Sequence, residues 1–286
     1  MSNPQSPTVR RRRLGLELRR LRDAAGLTTK DVARSLEISE AKINRIERGN
    51  LTARVIDVRA MLDLYGLHDP EQREALLTLT RQARERGWWA QYEDVLPTGF
   101  ETYVGLEADA ASLRAFSVTV LHGLLQTEDY ARTLIRQVNP GMDGESVDRL
   151  VALRCERQRL LDRTPEPLKL WTIIDEAILR RPIGGREVMR AQLQRLLREA
   201  ERPCVDLQVL PFSKGWHPGL SGAFTLIEFL SDADKDVVYI DGPGGNLYLE
   251  KSAEVRQAAD TFDRLRAKAL DGDESLQMIK AAAKDV

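Results

Sequence analysis

Residues 39–48, SEAKINRIER, interleave Lys42, Asn44 and Arg45 with Ile43 and Ile46, so a helix that buries the two isoleucines turns the three polar side chains outward. These are the side-chain types that read base edges: Lys and Arg donate to guanine O6 and N7, and Asn pairs with adenine N6 and N7. Glu40, Ala41 and Arg48 share the outward faces. The chemistry on offer is hydrogen bonding to double-stranded DNA, and the alternative, an ordinary solvated helix face, is weighed against it by the surrounding pattern and charge.

That helix needs neighbours to hold it. Leu14, Leu18 and Leu21 repeat at helical spacing, and Gly26 is placed to end the helix they form. Thr28 reads as the N-cap of a second short helix, with Asp31 at the third position of a capping box and Val32, Ala33 and Leu36 as its buried face. Glu37 and Ile38 make a tight link to Ser39, a second N-cap, with Glu40 in the first turn where the helix dipole favours an acid; Gly49 closes the third helix. Two short helices across a three- or four-residue turn are the unit that lays its second helix in a major groove.

Charge agrees. Residues 1–54 carry thirteen Lys/Arg against six Asp/Glu, a net of +7, while the whole chain is −1, leaving −8 for the remainder. A near-neutral total conceals a basic head on an acidic body, as expected when one end meets phosphate. Arg10 to Arg13 read either as an arm that follows the DNA backbone or minor groove, or as a solvated tail.

Residues 14–49 resemble the lambda-repressor-like, Xre-type helix-turn-helix, and VIDVRAMLDLYGLHD, residues 55–69, is similar to the fourth helix and exit of that domain. The resemblance implies phosphate contacts from Thr28, Thr29 and Lys30, base-facing positions at Glu40, Ala41, Lys42, Asn44 and Arg45, and a DNA-binding set completed by Ser39, Arg48 and Arg54. Glu37 occupies the turn position that relatives often fill with glycine; a left-handed backbone there costs glutamate roughly 1 kcal/mol more.

The predicted organisation is a basic arm (1–13), the helix-turn-helix domain (14–86), an aromatic linker (87–101), an α+β domain (102–272) and a tail (273–286). The fold class is mostly α with an α+β second domain: helices, then a largely antiparallel sheet closed by a C-terminal helix over 250–270. A helix is expected over 71–86, helical pattern from Thr102 to Phe116, helices over 128–137, 146–161 and 187–201, and strands over 168–175, 205–210, 224–229, 237–240 and 247–249, with turns at 231–236 and 242–245.

GWWAQYEDVLPTGF, residues 87–100, holds four aromatics in fourteen positions; Trp88, Trp89 and Tyr92 are expected to clasp the domains together or line a pocket. KGWHPGLSGAF, residues 214–224, offers Trp216, His217 and Phe224 either as the rim of a ligand or protein surface or as a hairpin connection folded onto the sheet. The strings RGWWAQYEDVLP and YVGLEADAASLRAFSVTVLHGLLQTEDYAR resemble the uncharacterised domain of actinobacterial, WhiJ-like regulators, where the residue before GLLQT tends to be proline and is His122 in this chain. Such relatives are described as antitoxin-like and imply a small partner protein from a neighbouring gene.

An enzyme is not expected. His68, His122 and His217 are the only histidines and none has a metal-ligand neighbour at helical or turn spacing, so no metal and no cofactor is assigned. DGPGG at 241–245 lacks the Lys-Ser/Thr of a phosphate loop, and Ser221 lacks a G-x-S-x-G frame. Asp175-Glu176 and Glu128-Asp129 sit near predicted helix starts, where the dipole accounts for them. No run of eighteen apolar residues spans a membrane and no signal-peptide core is seen; with Cys155 and Cys204 read as buried thiols, a cytoplasmic, nucleoid-associated protein is expected. The expected function is a sequence-specific transcription regulator, a repressor, whose second domain dimerises and binds a small partner or ligand, two copies reading an inverted repeat. The alternative is an antitoxin-like interaction protein that sequesters a small partner and binds DNA only to regulate itself.

Overall fold

The computed structural model describes residues 6–231, 233–242 and 244–286. The first five residues of the expected arm, Asp232 of the 231–236 turn and Pro243 of the 242–245 turn lie outside them. The chain forms two compact units, one of residues up to 90 with 231–234, the other of residues 91–230 and 235–286.

The first unit is a bundle of α1 (Pro7–Ala24), α2 (Thr29–Ser35), α3 (Glu40–Glu47), α4 (Val55–Leu64) and α5 (Pro70–Gln82). Leu14 and Leu18 of α1, Val32 of α2, Ile43 and Ile46 of α3, and Val58, Met61 and Leu62 of α4 form one core. Arg10 to Arg13 are not an arm. Ser6 caps α1 and Pro7 occupies its first turn, so the helix starts before the arginines; Arg10 and Arg12 are buried, Arg11 is half-buried with Nη1 donating to Thr52 Oγ1, and Arg13 alone of the four is exposed.

The second unit contains α6 (Phe100–Asp109), β1 (Ser112–Ser117), α7 (Glu128–Val138), α8 (Gly144–Gln158), β2 (Lys169–Asp175), α9 (Glu176–Arg180), α10 (Gly185–Glu199), β3 (Val205–Leu210), β4 (Phe224–Glu228), β5 (Val237–Gly242), β6 (Gly245–Leu249), α11 (Ser252–Lys268) and α12 (Gly272–Asp285). Its sheet runs β3-β2-β1-β4-β5-β6. The β1–β2 and β2–β3 pairs are parallel and the other three antiparallel, so the unit is α+β with a mostly antiparallel sheet.

Two elements differ from expectation. The helical pattern read through to Phe116 stops at Ala110, and SLRAFS becomes the central strand β1, with Leu113 level with Leu170 on one side and Ile227 on the other. Pairing on both edges overrides local periodicity there. The expected closing helix is α11, after which Asp271 forms a capping box with Glu274 and starts a further helix, α12. The segment read as a tail is therefore structural: Ile279 and Ala282 are buried, and Ser275 Oγ accepts from the Val209 amide of β3. Cys155 and Cys204 are free and half-buried rather than buried.

Candidate nucleic-acid interface and pocket

Each end of the helix-turn-helix is fixed by its own residues. Thr28 Oγ1 accepts from Asp31 N at 3.2 Å while an Asp31 carboxylate oxygen accepts from Thr28 N at 3.0 Å, a reciprocal cap; the Thr28 hydroxyl, which also donates to that carboxylate, and then the Thr28 amide hold the Asp31 carboxyl below its usual range. Ser39 Oγ accepts from Lys42 N at 3.2 Å. Between them Glu37 takes φ 53°, the one left-handed non-glycine among the described residues, so the turn keeps its geometry at the expense of local strain.

α3 is seated by its inner face. Glu47 accepts two hydrogen bonds from Arg22 of α1, at 2.6 and 3.0 Å, and Arg22 also donates to the Leu27 carbonyl that precedes α2. One guanidinium thus ties three segments together. A Cβ on Gly15 would lie 2.6 Å from the carbonyl oxygens of Ile46 and Glu47, so only glycine lets α1 approach the end of α3 this closely.

The outward side chains are not equivalent. Arg45 and Arg48 are exposed, and among the described residues no hydrogen bond or ion pair engages either guanidinium. Lys42 is turned aside, its Nζ donating to Asp57 at 2.8 Å, and Arg54 grips the same carboxylate, which holds Asp57 below its usual pKa. Glu40 accepts from Thr29 Oγ1 at 2.7 Å, and Asn44 donates back to the Glu40 carbonyl at 3.1 Å, leaving its amide oxygen available. Ala41, Ser39, Thr28 and Lys30 are exposed. Lys42 and Asn44 therefore need to exchange these bonds before they can reach bases, whereas Arg45 needs no rearrangement.

The aromatic clasp divides. Trp88 and Trp89 pack edge to face, with centroids 5.8 Å apart, in the first unit; Tyr92 is buried in the second, where burial and Glu156 raise its pKa. In the second unit a pocket of about 360 Å³ opens among α6, α7, α8, β1 and β4, and of the expected residues His122 and Phe224 line it. His217 does not: it is buried beside Phe116, its Nε2 4.0 Å from Asp175. Trp216 is exposed, with Lys268 over its ring.

Behind His122 lies a polar cluster that motif reading missed. Glu107 accepts two hydrogen bonds from Arg157, at 2.6 and 2.8 Å, with the two side chains 0% and 4% exposed. Burial pushes the Glu107 carboxyl up, but the charge and hydrogen bonds of Arg157 outweigh it and the net shift is downward. The Leu124 amide donates to His122 Nδ1, which puts the proton of the neutral ring on Nε2, 2.9 Å from the Tyr103 hydroxyl. Burial pulls the His122 pKa down to about 4 against the opposing pull of Glu107. A sequence signal existed: Arg154 and Arg157 continue the Val147, Leu150, Val151 stripe of α8, so charges stand in a core phase.

The His122 shift has a consequence for stability. Its folded pKa lies below the ordinary value near 6.5, so the unfolded chain binds the extra proton between these values and stability falls as pH drops from 6.5 towards 4. The loss attributable to His122 is at most about 3 kcal/mol. Urea denaturation of the second unit at a series of pH values should show a shallower decline in His122→Gln than in the wild type; parallel curves would contradict the assignment.

Among the described residues no group of three or more His, Cys, Asp or Glu is placed to hold a metal ion, and no helix is long and apolar enough to cross a membrane. Residues 13–76 match a helix-turn-helix domain model, in keeping with the Xre-type superfamily at large. With the outward face of α3 and its capped entry, this makes the chain a DNA-binding regulatory protein. Residues 100–281 match the family described as "Domain of unknown function (DUF5753)", and the chain belongs to that family. No curated protein and no solved structure matches it.

Proposed function

We propose that the chain is a sequence-specific transcription regulator, a cytoplasmic repressor of the actinobacterial, WhiJ-like kind, without catalytic activity of its own. The observation that carries this reading is the pair of guanidiniums, Arg45 and Arg48, unengaged among the described residues, on the exposed face of a helix otherwise locked to its neighbours. Two copies dimerise through the second unit and set two α3 helices roughly 34 Å apart, so the operator is an inverted repeat. One reading helix per chain is the motive, since paired half-sites multiply its specificity. His122 and His217 have separate partners, Tyr103 and Asp175, which supports a body that receives a signal rather than turns over a substrate.

Arg45→Ala tests the reading head. With an operator recovered from random DNA by its binding to the wild type, the substitution is expected to cost about 1–3 kcal/mol of specific affinity while leaving random-DNA binding nearly unchanged. Equal losses on both would show that Arg45 contacts only phosphate.

One observation favours a second reading, the antitoxin-like protein that holds a small partner from a neighbouring gene. Phe212, Trp216 and Leu220 are all more than half exposed on the segment after β3. Co-purification of a stoichiometric small protein that is lost on Trp216→Ser would favour it.

A further inference from the structure

The pocket of the second unit carries a charge imbalance. Its wall includes two guanidiniums of α8, Arg154 and Arg157, and behind it stands one buried carboxylate, Glu107, which accepts its two hydrogen bonds from Arg157. Arg154 donates to the Gln126 amide oxygen, a neutral acceptor, and among the described residues its buried Nε has no hydrogen-bond partner. Burial, and next the neighbouring Arg157, pull the Arg154 pKa down to about 10, so the group stays charged at neutral pH. His122 is neutral there and compensates nothing. Asp241 is the one acid of the lining and sits at an exposed position.

The rest of the wall is largely apolar, with Phe100, Phe116, Leu134, Leu150, Leu153 and Phe224 contributing. A volume of about 360 Å³ is in the range that takes a small organic molecule. A half-buried cation that hydrogen-bonds only a neutral acceptor carries a desolvation cost that an incoming anion recovers, provided its other end tolerates an apolar wall.

We propose that this pocket binds a small amphipathic organic anion, its carboxylate meeting Arg154 and its apolar body lying against the Phe116, Leu134 and Phe224 wall. The charge balance sets the preference: a neutral analogue fills the apolar space and leaves Arg154 as it is, and a cation adds to the excess. As the input of the regulator the ligand rests on the reading above; as a binding site it does not.

The test is calorimetry on the full chain without DNA, using naphthalene-2-carboxylate and its neutral isostere naphthalene-2-carboxamide. The wild type is expected to bind the carboxylate roughly tenfold or more tightly than the carboxamide. Arg154→Met should abolish that preference and retain carboxamide binding. Ala223→Trp, at an exposed position of the lining, should weaken both probes and covers the case in which Arg154→Met fails to fold. Equal affinities in the wild type, a preference that survives Arg154→Met, or binding of neither probe at millimolar concentration would overturn the proposal. Because DNA is absent, those outcomes leave base reading untouched, and a failure to bind DNA leaves this result standing.

Discussion

Glu107→Ala is expected to destabilise the second unit by about 3–5 kcal/mol, because it strands the buried Arg157 with no carboxylate, beside the half-buried Arg154. Neither guanidinium can shed its proton to escape the penalty. The partner substitution behaves differently. Arg157→Met leaves Glu107 buried, but a carboxyl can take up a proton, so its folded pKa rises above the ordinary carboxylate value. Stability in that variant is therefore retained below the unfolded pKa of Glu107 and lost as pH rises through the folded one, the reverse of the His122 effect. Urea denaturation of the three proteins at pH 4.5 and pH 7 checks both statements. A Glu107→Ala cost under about 1 kcal/mol, or an Arg157→Met variant that does not improve as pH falls, would contradict this picture of the cluster.

Glu47→Ala is the counterpart in the first unit. It removes the two carboxylate oxygens that accept from Arg22 in a pair whose side chains are 9% and 6% exposed, leaving Arg22 with the Leu27 carbonyl and the exposed Asp23, and is expected to cost about 3 kcal/mol. The effect on DNA should exceed the effect on folding. Arg22 also holds the Leu27 carbonyl before α2, so losing Glu47 frees α3 to shift against α1 while the core of Leu18, Val32, Ile43 and Ile46 persists. Replacing both partners, Arg22→Met with Glu47→Leu, should recover most of the stability without restoring specific DNA binding. Native-state hydrogen exchange reads α1 and α3 separately from the second unit. Wild-type protection of those amides in Glu47→Ala would show that the pair does not seat α3.

Much of the first unit was legible because its signals are local. Thr28, Asp31 and Ser39 do their capping within one turn of chain, and the spacing of Ile43 and Ile46 already fixed which residues face outward. What that spacing could not show is that Lys42 leans onto Asp57, fifteen residues away, or that Arg22 closes on Glu47; both need the folded bundle. The four arginines read as an arm belong to α1 because Ser6 and Pro7 supply a helix start that the charge pattern obscured. In the second unit the strands with their own branched residues, such as LKLWTIID, declared themselves, and β1 did not. SLRAFS has little strand character alone and is a strand because Lys169–Asp175 and Phe224–Glu228 flank it. The pocket is a long-range product of the same kind: His122 and Phe224 were singled out, but Arg154, Arg157 and Glu107 were not, because they come together only when α6 and α8 pack.

The most direct measurement is sequencing of the fragments that the purified full chain retains from a random DNA pool. The expected result is enrichment of a single motif arranged as an inverted repeat, with half-site centres about one helical turn, roughly 34 Å, apart. Retention of fragments with no enriched motif, or of isolated half-sites bound by one chain, would contradict base reading by paired α3 helices.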